Sequence, residues 1–232
     1  MLLSQEQILK HLEQGTIVID PFNPKQLKTT SYDVTLGEWY FREKTPADGS
    51  AIYNMYDEAH TAQVWEGPFE AEKVSDLLER LDIDFKNVPK DARAILLGPH
   101  ETILAHTQEF IGGRDVVVAK MHARSSMGRN FLEVCKDAGW GDVGYFNRWT
   151  MQITNNSQHY TIPLIVGRRI AQIIFYEVSP LTDKKIDYVG EGGKYQLSQD
   201  LERMKKEWNP QMLLPQMHLD WEVKLMQGEL KI

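Results

Sequence analysis

Short apolar runs recur along most of the chain and predict a β domain. Each run spans four to seven residues, and most of the runs lie close to glycine, proline or asparagine. Runs of this length, separated by turn-forming residues, are typical of strands joined by tight connections. The predicted strands are 16–20, 31–37, 94–97, 102–105, 116–119, 150–154, 161–166 and 170–176. Many short strands of this kind indicate a sandwich or a barrel.

Apolar residues at helical spacing occupy only a few stretches. Ser4 begins a capping box and Gly15 fits a helix stop, so a short N-terminal helix is predicted between them. Residues 74–81 repeat at helical spacing, and Ser198 is placed to cap a further helix. Residues 45–72 show no clean period and are predicted to form an irregular excursion. The pattern therefore predicts an all-β fold class, mainly β with a few short helices.

The chain is predicted to contain one domain and a C-terminal extension. At 232 residues it can bury a substantial core without being split. We assign residues 1–200 to the domain. Residues 201–232 are too rich in leucine, methionine and tryptophan for a free tail, so we expect them to pack on the domain or on a neighbouring subunit.

Charge and cysteine content exclude several classes of protein. The net charge of −7 argues against broad nonspecific binding to nucleic acid. The single cysteine, Cys135, allows no disulfide within the chain, and it cannot supply the Cys-x-x-Cys pair of zinc-dependent nucleobase deaminases. Neither a signal peptide nor an apolar run of about 20 residues is present. We expect a cytoplasmic protein without a membrane or nucleic-acid partner.

The strongest candidate for chemistry is the cluster Arg124–Arg129. It combines two guanidinium groups with the hydroxyls of Ser125 and Ser126 at a predicted strand end. Guanidinium groups offer planar, charge-assisted donors to phosphate oxygens, so the cluster suits a triphosphate. A solvated loop with a surface ion pair is the alternative.

A second cluster is the glycine-punctuated hairpin 138–145. Glycines at this spacing allow tight turns whose backbone groups can read the edge of a base. Tyr145 could then contact the sugar, and Asp142 contributes a carboxylate. The alternative is ordinary turn chemistry at Asp142 and a core position for Tyr145.

Two further clusters are 167–172, which contains Gln172, and 193–199, which contains Lys194. A lysine in a glycine-rich segment can close over phosphates as a lid, although an exposed linker has the same composition. The histidines in strand-like contexts lack partners at triad or metal spacing and are interpreted as structural; they are His106, His122 and His159.

These four clusters, in this order, resemble the dCTP deaminase and dUTPase superfamily. The opening residues 4–37, the strand at 103–107 and the tail motif 193–196 are similar to dCTP deaminases, so the resemblance covers about residues 1–200. It implies a distorted jelly-roll, a dUTPase-like β-barrel that assembles as a homotrimer with shared active sites. It also implies a deoxypyrimidine triphosphate (dUTP or dCTP) as ligand, with Mg²⁺ carried on the triphosphate rather than held directly by the protein.

The resemblance also implies roles for individual residues. The phosphate-binding set is Arg124, Ser125, Ser126, Arg129 and Gln172. The base and deoxyribose set is Ala138, Gly139 and Tyr145. The closing tail contributes Lys194, Tyr195 and Gln199. The expected catalytic set is Asp142, Gln152, Ser125 and Arg129.

Gln152 stands where the deaminases have the glutamate that activates water for attack on C4 of cytosine. A carboxamide cannot accept that proton at ordinary pH, and losing a general base typically costs about 100- to 10,000-fold in rate. Asp142 and Tyr145 match the motif Ala-Gly-x-x-Asp-x-x-Tyr of the hydrolase branch, whose aspartate activates water for attack on the α-phosphate. The glycine-rich tail of ordinary dUTPases is missing, and the tail here resembles that of deaminases.

We therefore expect Mg²⁺-dependent hydrolysis of a deoxypyrimidine triphosphate, with dUTP converted to dUMP and pyrophosphate as the leading hypothesis. One alternative is a zinc-independent dCTP deaminase, or a bifunctional dCTP deaminase and dUTPase. A second alternative is a noncatalytic nucleotide-binding regulator. Gln152 does not identify the base, because a carboxamide can donate to uracil O4 or accept from the cytosine amino group.

Overall fold

Thirteen strands and six short α-helices are seen in the computed structural model, which describes residues 1–46, 51–136, 139–181 and 186–228. The strands are β1 Ile17–Asp20, β2 Tyr32–Thr35, β3 Trp39–Glu43, β4 Trp65–Glu70, β5 Glu72–Lys73, β6 Arg93–Leu97, β7 Thr102–Gly113, β8 Val117–Ala123, β9 Leu132–Val134, β10 Trp140–Gly141, β11 Phe146–Asn155, β12 Ile162–Ile165 and β13 Arg169–Glu177. The helices are α1 Gln5–Glu13, α2 Glu58–Val64, α3 Val74–Leu81, α4 Ser125–Gly128, α5 Leu201–Glu207 and α6 Trp221–Met226.

Within the described residues, the strands pair antiparallel into three sheets. The six-stranded sheet has the order β4-β3-β7-β11-β9, with β1 also paired to β7. The four-stranded sheet has the order β10-β8-β13-β2, and the three-stranded sheet the order β12-β6-β5. The main core lies between the two larger sheets, where apolar residues of β7 and β11 meet those of β8 and β13. This mainly β, jelly-roll-like architecture confirms the predicted fold class.

The alternation of side chains along β11 directs its residues to two different environments. Trp149, Met151 and Ile153 are buried in the main core. Because successive side chains of a strand point to opposite faces, Thr150 and Gln152 lie on the outer face of the six-stranded sheet. The candidate site is built on that face.

The C-terminal segment, residues 201–228, covers this outer face. Met204 of α5 is buried with Phe110 and Phe146. Further along, Leu213 is buried against Phe41 and Leu104. The apolar composition of the segment is therefore matched by packing on its own domain.

Several sequence-based predictions are corrected at the level of elements. Residues 45–72 contain α2 and β4, because the Asp57 side chain caps α2 and β4 pairs with β3. The helix after Ser198 begins at Leu201, since Asp200 rather than Ser198 accepts the capping hydrogen bond from the Arg203 backbone. The predicted N-terminal helix and the helix at 74–81 are confirmed.

The described helices are all too short or too polar to cross a membrane.

Candidate active site

A cavity of about 340 Å³ lies between the outer face of the six-stranded sheet and the C-terminal segment. Four parts of the chain form its walls. The sheet contributes Leu104, Thr150 and Gln152, and the hairpin contributes Gly139, Trp140 and Tyr145. The tail, defined as residues 186–199, contributes Tyr188 and Tyr195, and the C-terminal segment contributes Leu213, Leu214 and Pro215. A concave site of this size, mostly apolar with a few polar groups, is typical of small-molecule binding.

Gln152 lies on the sheet wall of this cavity, directly opposite Leu104 in the β7–β11 register. Its Oε1 is buried and has no hydrogen-bond partner among the described residues. Leaving a buried acceptor unsatisfied costs about 1–3 kcal/mol, so native proteins rarely keep one without a use. The Gln152 side chain therefore lines the cavity with an oxygen whose hydrogen-bonding capacity is unused within the described residues.

Tyr145 is held rigidly at the base of the hairpin. Its ring packs edge-on against Trp149, with centroids 5.2 Å apart, and against Tyr188, with centroids 4.9 Å apart. Burial raises the pKa of the Tyr145 hydroxyl well above its usual range. The side chain is therefore neutral and suited to contact with a ligand rather than to proton transfer.

Two glutamines of the tail, Gln196 and Gln199, bind the hairpin at the carbonyl group of Gly144. The Nε2 atoms of Gln196 and Gln199 donate to the Gly144 carbonyl at 2.8 and 2.9 Å, and Gln196 Oε1 accepts from the Phe146 backbone at 2.7 Å. Gly144 has a φ of +90°, and a Cβ there would lie 2.8 Å from Gln199 Nε2. Gln196 was not among the predicted site residues, although it belongs to the tail motif on which the resemblance rests.

Lys194 is engaged with the C-terminal segment. Its Nζ forms an ion pair with Asp220, and the neighbouring Tyr195 hydroxyl accepts a hydrogen bond from the Gln216 backbone at 3.2 Å. The residues around Lys194 and the C-terminal segment are therefore joined by an ion pair and a hydrogen bond next to Tyr195, which lines the cavity.

The predicted phosphate cluster sits on the four-stranded sheet. Ser125, Ser126 and Arg129 are exposed on or next to α4. Arg124 donates to the Arg169 carbonyl at 3.0 Å, and its Nε lies 3.9 Å from Asp33. The cavity lining includes none of the five predicted phosphate-binding residues, Arg124, Ser125, Ser126, Arg129 and Gln172.

Asp33 organises the two guanidinium groups of this sheet. Its carboxylate is almost fully buried, and its Oδ2 accepts from Arg169 Nη1 at 2.8 Å. Gln172, on β13, lies opposite Asp33 on β2 and His122 on β8. Arg124 directly follows β8 and therefore lies at the end of the same sheet that carries Gln172.

Asp142 and Ala138 complete the predicted hairpin set. Asp142 is exposed, and its Oδ1 accepts from Trp140 Nε1 at 2.7 Å. Its side chain does not line the cavity. Ala138 lies outside the described residues. The same described residues contain no group of three or more histidine, cysteine, aspartate or glutamate side chains placed to hold a metal ion.

The arrangement in one chain consists of two separate parts. The cavity gathers the hairpin, Gln152 and the tail, and it suits a planar base and a sugar. The arginine and serine cluster presents donors suited to phosphates.

The model of a family described as dCTP deaminase-like matches residues 2–178. The chain belongs to that family. A dCTP deaminase, dUMP-forming, of Methanobrevibacter smithii is 28% identical over 210 residues, covering 89% of this chain and 97% of the relative. A dCTP deaminase, dUMP-forming, of Methanococcus aeolicus is 30% identical over 201 residues, covering 84% of this chain and 92% of the relative. The superfamily resemblance seen in the sequence is thereby confirmed.

A solved structure supports the fold independently. The 2′-deoxycytidine 5′-triphosphate deaminase of Agrobacterium tumefaciens superposes with a TM-score of 0.52 at 13% sequence identity. The match covers 82% of this chain and 53% of that chain, so the present chain spans about half the length of the solved one.

The leading functional expectation from the sequence, plain dUTP hydrolysis, is wrong. The relatives that match nearly end to end are named dCTP deaminases, dUMP-forming, which corresponds to the bifunctional alternative. The expectation rested on Gln152 alone, whereas the similarity to dCTP deaminases, dUMP-forming, extends over most of the chain.

Proposed function

We propose that this chain converts dCTP to dUMP. In this reaction water replaces the amino group at C4 and releases ammonia, and a second water cleaves the bond between the α- and β-phosphates and releases pyrophosphate. The observation that carries the proposal is the match to dCTP deaminases, dUMP-forming, over almost their whole length. The cavity supports the proposal, because it offers a site for a pyrimidine deoxynucleoside beside Gln152. By resemblance, Gln152 occupies the position of the catalytic glutamate of dCTP deaminases.

Within this proposal, Gln152 binds and positions but does not take the proton. Its carboxamide can accept a hydrogen bond from water or from the 4-amino group, and it can donate to an oxygen at C4. Since it cannot act as a general base, we expect deamination to be slow by about two to four orders of magnitude compared with a glutamate at the same position.

We propose that the active site is assembled between subunits of a homotrimer. The phosphate cluster of one chain would then complete the cavity of another, which accounts for the position of Arg124 and its neighbours outside the cavity of their own chain. Closed symmetric assemblies are the usual form of soluble oligomers.

Mg²⁺ would be carried by the triphosphate. The exposed carboxylate of Asp142 fits contact with a hydrated ion through water, because Mg²⁺ retains several waters and takes oxygen ligands. Bound there, Mg²⁺ would neutralise charge on the phosphates during cleavage.

A noncatalytic nucleotide-binding protein is the second candidate. One observation favours it: the orphaned carboxamide of Gln152 in a cavity that can bind a base without chemistry. In that case dCTP would bind and remain intact.

Incubation of the purified protein with dCTP and Mg²⁺, followed by separation of nucleotides, tests these functions. Formation of dUMP with ammonia supports the proposal. Formation of dCMP, or of dUTP alone, contradicts it. Intact dCTP despite measurable binding supports the second candidate, and absence of binding by calorimetry rules out both.

A further inference from the structure

The C-terminal segment supplies a wall of the cavity although it lies beyond the residues matched by the family. The match ends at residue 178, yet Leu213, Leu214 and Pro215 line the same space as Gln152. This wall thus comes from a part of the chain that lies beyond the residues matched by the family model.

The wall is anchored by buried contacts on the sheet. The Trp208 ring lies 4.7 Å from the His106 ring, and the Arg148 guanidinium carbon lies 4.5 Å from the Trp208 ring. Leu213 is 3% exposed and packs with Leu104. Aromatic and cation–π contacts of this kind stabilise the packing of the wall on the sheet.

Polar and apolar residues adjoin one another in the lining of the cavity. Gln152 and Thr150 belong to β11, and the aromatic rings of Trp140, Tyr145 and Trp149 belong to the hairpin and to the same strand, which follows it. Leu104 lies opposite Gln152, and Leu213 and Leu214 belong to the same apolar cluster as Leu104. Facing residues on paired strands have Cβ atoms about 5 Å apart, so apolar surface begins directly beside the carboxamide.

A pyrimidine base likewise has a polar edge that adjoins an apolar one. Its O2, N3 and C4 substituent form a polar edge, whereas C5 and C6 form a carbon edge. With the polar edge on the hairpin and Gln152, the carbon edge faces the C-terminal segment. Position C5 adjoins C4, so it falls where Leu104 and its cluster adjoin Gln152.

We propose that Leu214, with its neighbours in the C-terminal segment, receives the C5 edge of the pyrimidine and that the site accepts 5-substituted deoxycytidine triphosphates. The proposal rests on the proposed function, in which the cavity binds the base. A methyl group at C5 would be buried against apolar side chains, which favours binding.

The test measures dissociation constants for dCTP and 5-methyl-dCTP by calorimetry, with Mg²⁺, for the wild type, Leu214→Ala and Met212→Ala. If the 5-methyl group contacts Leu214, the ratio of the two constants changes by about threefold or more between the wild type and Leu214→Ala, because groups in contact are energetically coupled. Met212 lies in the same segment but does not line this cavity, so its variant keeps the wild-type ratio.

An unchanged ratio in Leu214→Ala overturns the proposal while leaving the proposed function intact. Failure of the wild type to bind either nucleotide removes the proposed function, and the proposal falls with it. Thermal unfolding confirms that each variant is folded, and Leu214→Val repeats the comparison with a smaller truncation if the alanine variant is unstable.

Discussion

The side chain of Gln152 is half-buried and ends in a group that cannot act as a base. Its Oε1 is buried without a partner among the described residues, and the side chain lines a cavity that also contains aromatic and apolar residues. At this scale the chemistry of a single atom decides rate: an oxygen of a carboxylate accepts a proton and a carboxamide does not.

We predict that Gln152→Glu raises the rate of dUMP formation from dCTP by about 100-fold or more, since it restores a general base beside C4. The rate is measured under single-turnover conditions by separating dCTP from dUMP. Gln152→Leu is the matched control, which keeps the volume but offers no base. Equal rates for the wild type and Gln152→Glu would show that another group already accepts the proton.

His106 predicts a pH dependence of stability. Its burial, with a further contribution from the charge of Arg148, lowers the pKa of the imidazole from 6.5 to about 4. The His106 imidazole binds a proton below about pH 6.5 in the unfolded chain, but only below about pH 4 in the folded chain. Stability is therefore lost as pH falls through that window, by up to about 1.4 kcal/mol per pH unit.

Denaturant unfolding between pH 7 and pH 4 checks this dependence. His106→Gln can replace the hydrogen bonds with Trp39 and Thr107 without titrating. We expect a shallower pH dependence for this variant than for the wild type. Parallel curves for the two proteins would exclude His106 as the source.

At the scale of elements, the C-terminal segment is coupled to the sheet through Trp208. This ring joins two apolar clusters, one around Phe110 and Met204 and the other around Leu104 and Leu213. Loss of the ring would therefore remove packing contacts of both α5 and the cavity wall with the sheet.

We predict that Trp208→Ala lowers the free energy of unfolding by about 2–4 kcal/mol, because a packed aromatic side chain and its stacking are lost. It should also weaken dCTP binding. Trp221→Ala is the control, since Trp221 is 58% exposed and surface substitutions change stability by about 0.5 kcal/mol or less. Equal effects of the two substitutions in chemical denaturation would contradict the anchoring role.

For the whole molecule, the separation of the cavity from the phosphate cluster predicts complementation between subunits. Arg124→Ala should inactivate the phosphate half of the site and Asp142→Asn the hairpin half. After unfolding and refolding an equal mixture, about one quarter of the sites would combine an intact hairpin with an intact cluster from a neighbouring chain.

We therefore expect the mixture to recover about one quarter of the wild-type rate of dUMP formation, while each variant refolded alone stays inactive. Light scattering on the same samples measures the oligomeric state. A monomeric mass, or a mixture as inactive as its components, would show that the site is not shared.

Local patterns predicted much of the fold. The capping box at Ser4, the helical repeat at 74–81 and the alternation at 150–154 appear in the structure as expected. Residues 45–72 were predicted to be irregular, but they contain β4. The pairing of β4 with β3 is a contact between residues distant in the sequence, which local periodicity does not reveal. Ser125 and Ser126 are exposed, and their role in phosphate binding stays a prediction from residue type and resemblance.

The amino-acid sequence by itself determined the fold class, the family resemblance and the chemical limit at Gln152, because each depends on residue identity and on short-range periodicity. Only the tertiary structure showed that the C-terminal segment lines the cavity and that Lys194 pairs with Asp220. It also showed that the predicted phosphate cluster lies outside the cavity of its own chain. These features depend on contacts between residues far apart along the chain. Such contacts are selected by the burial of apolar faces in the folded molecule, which no local pattern specifies.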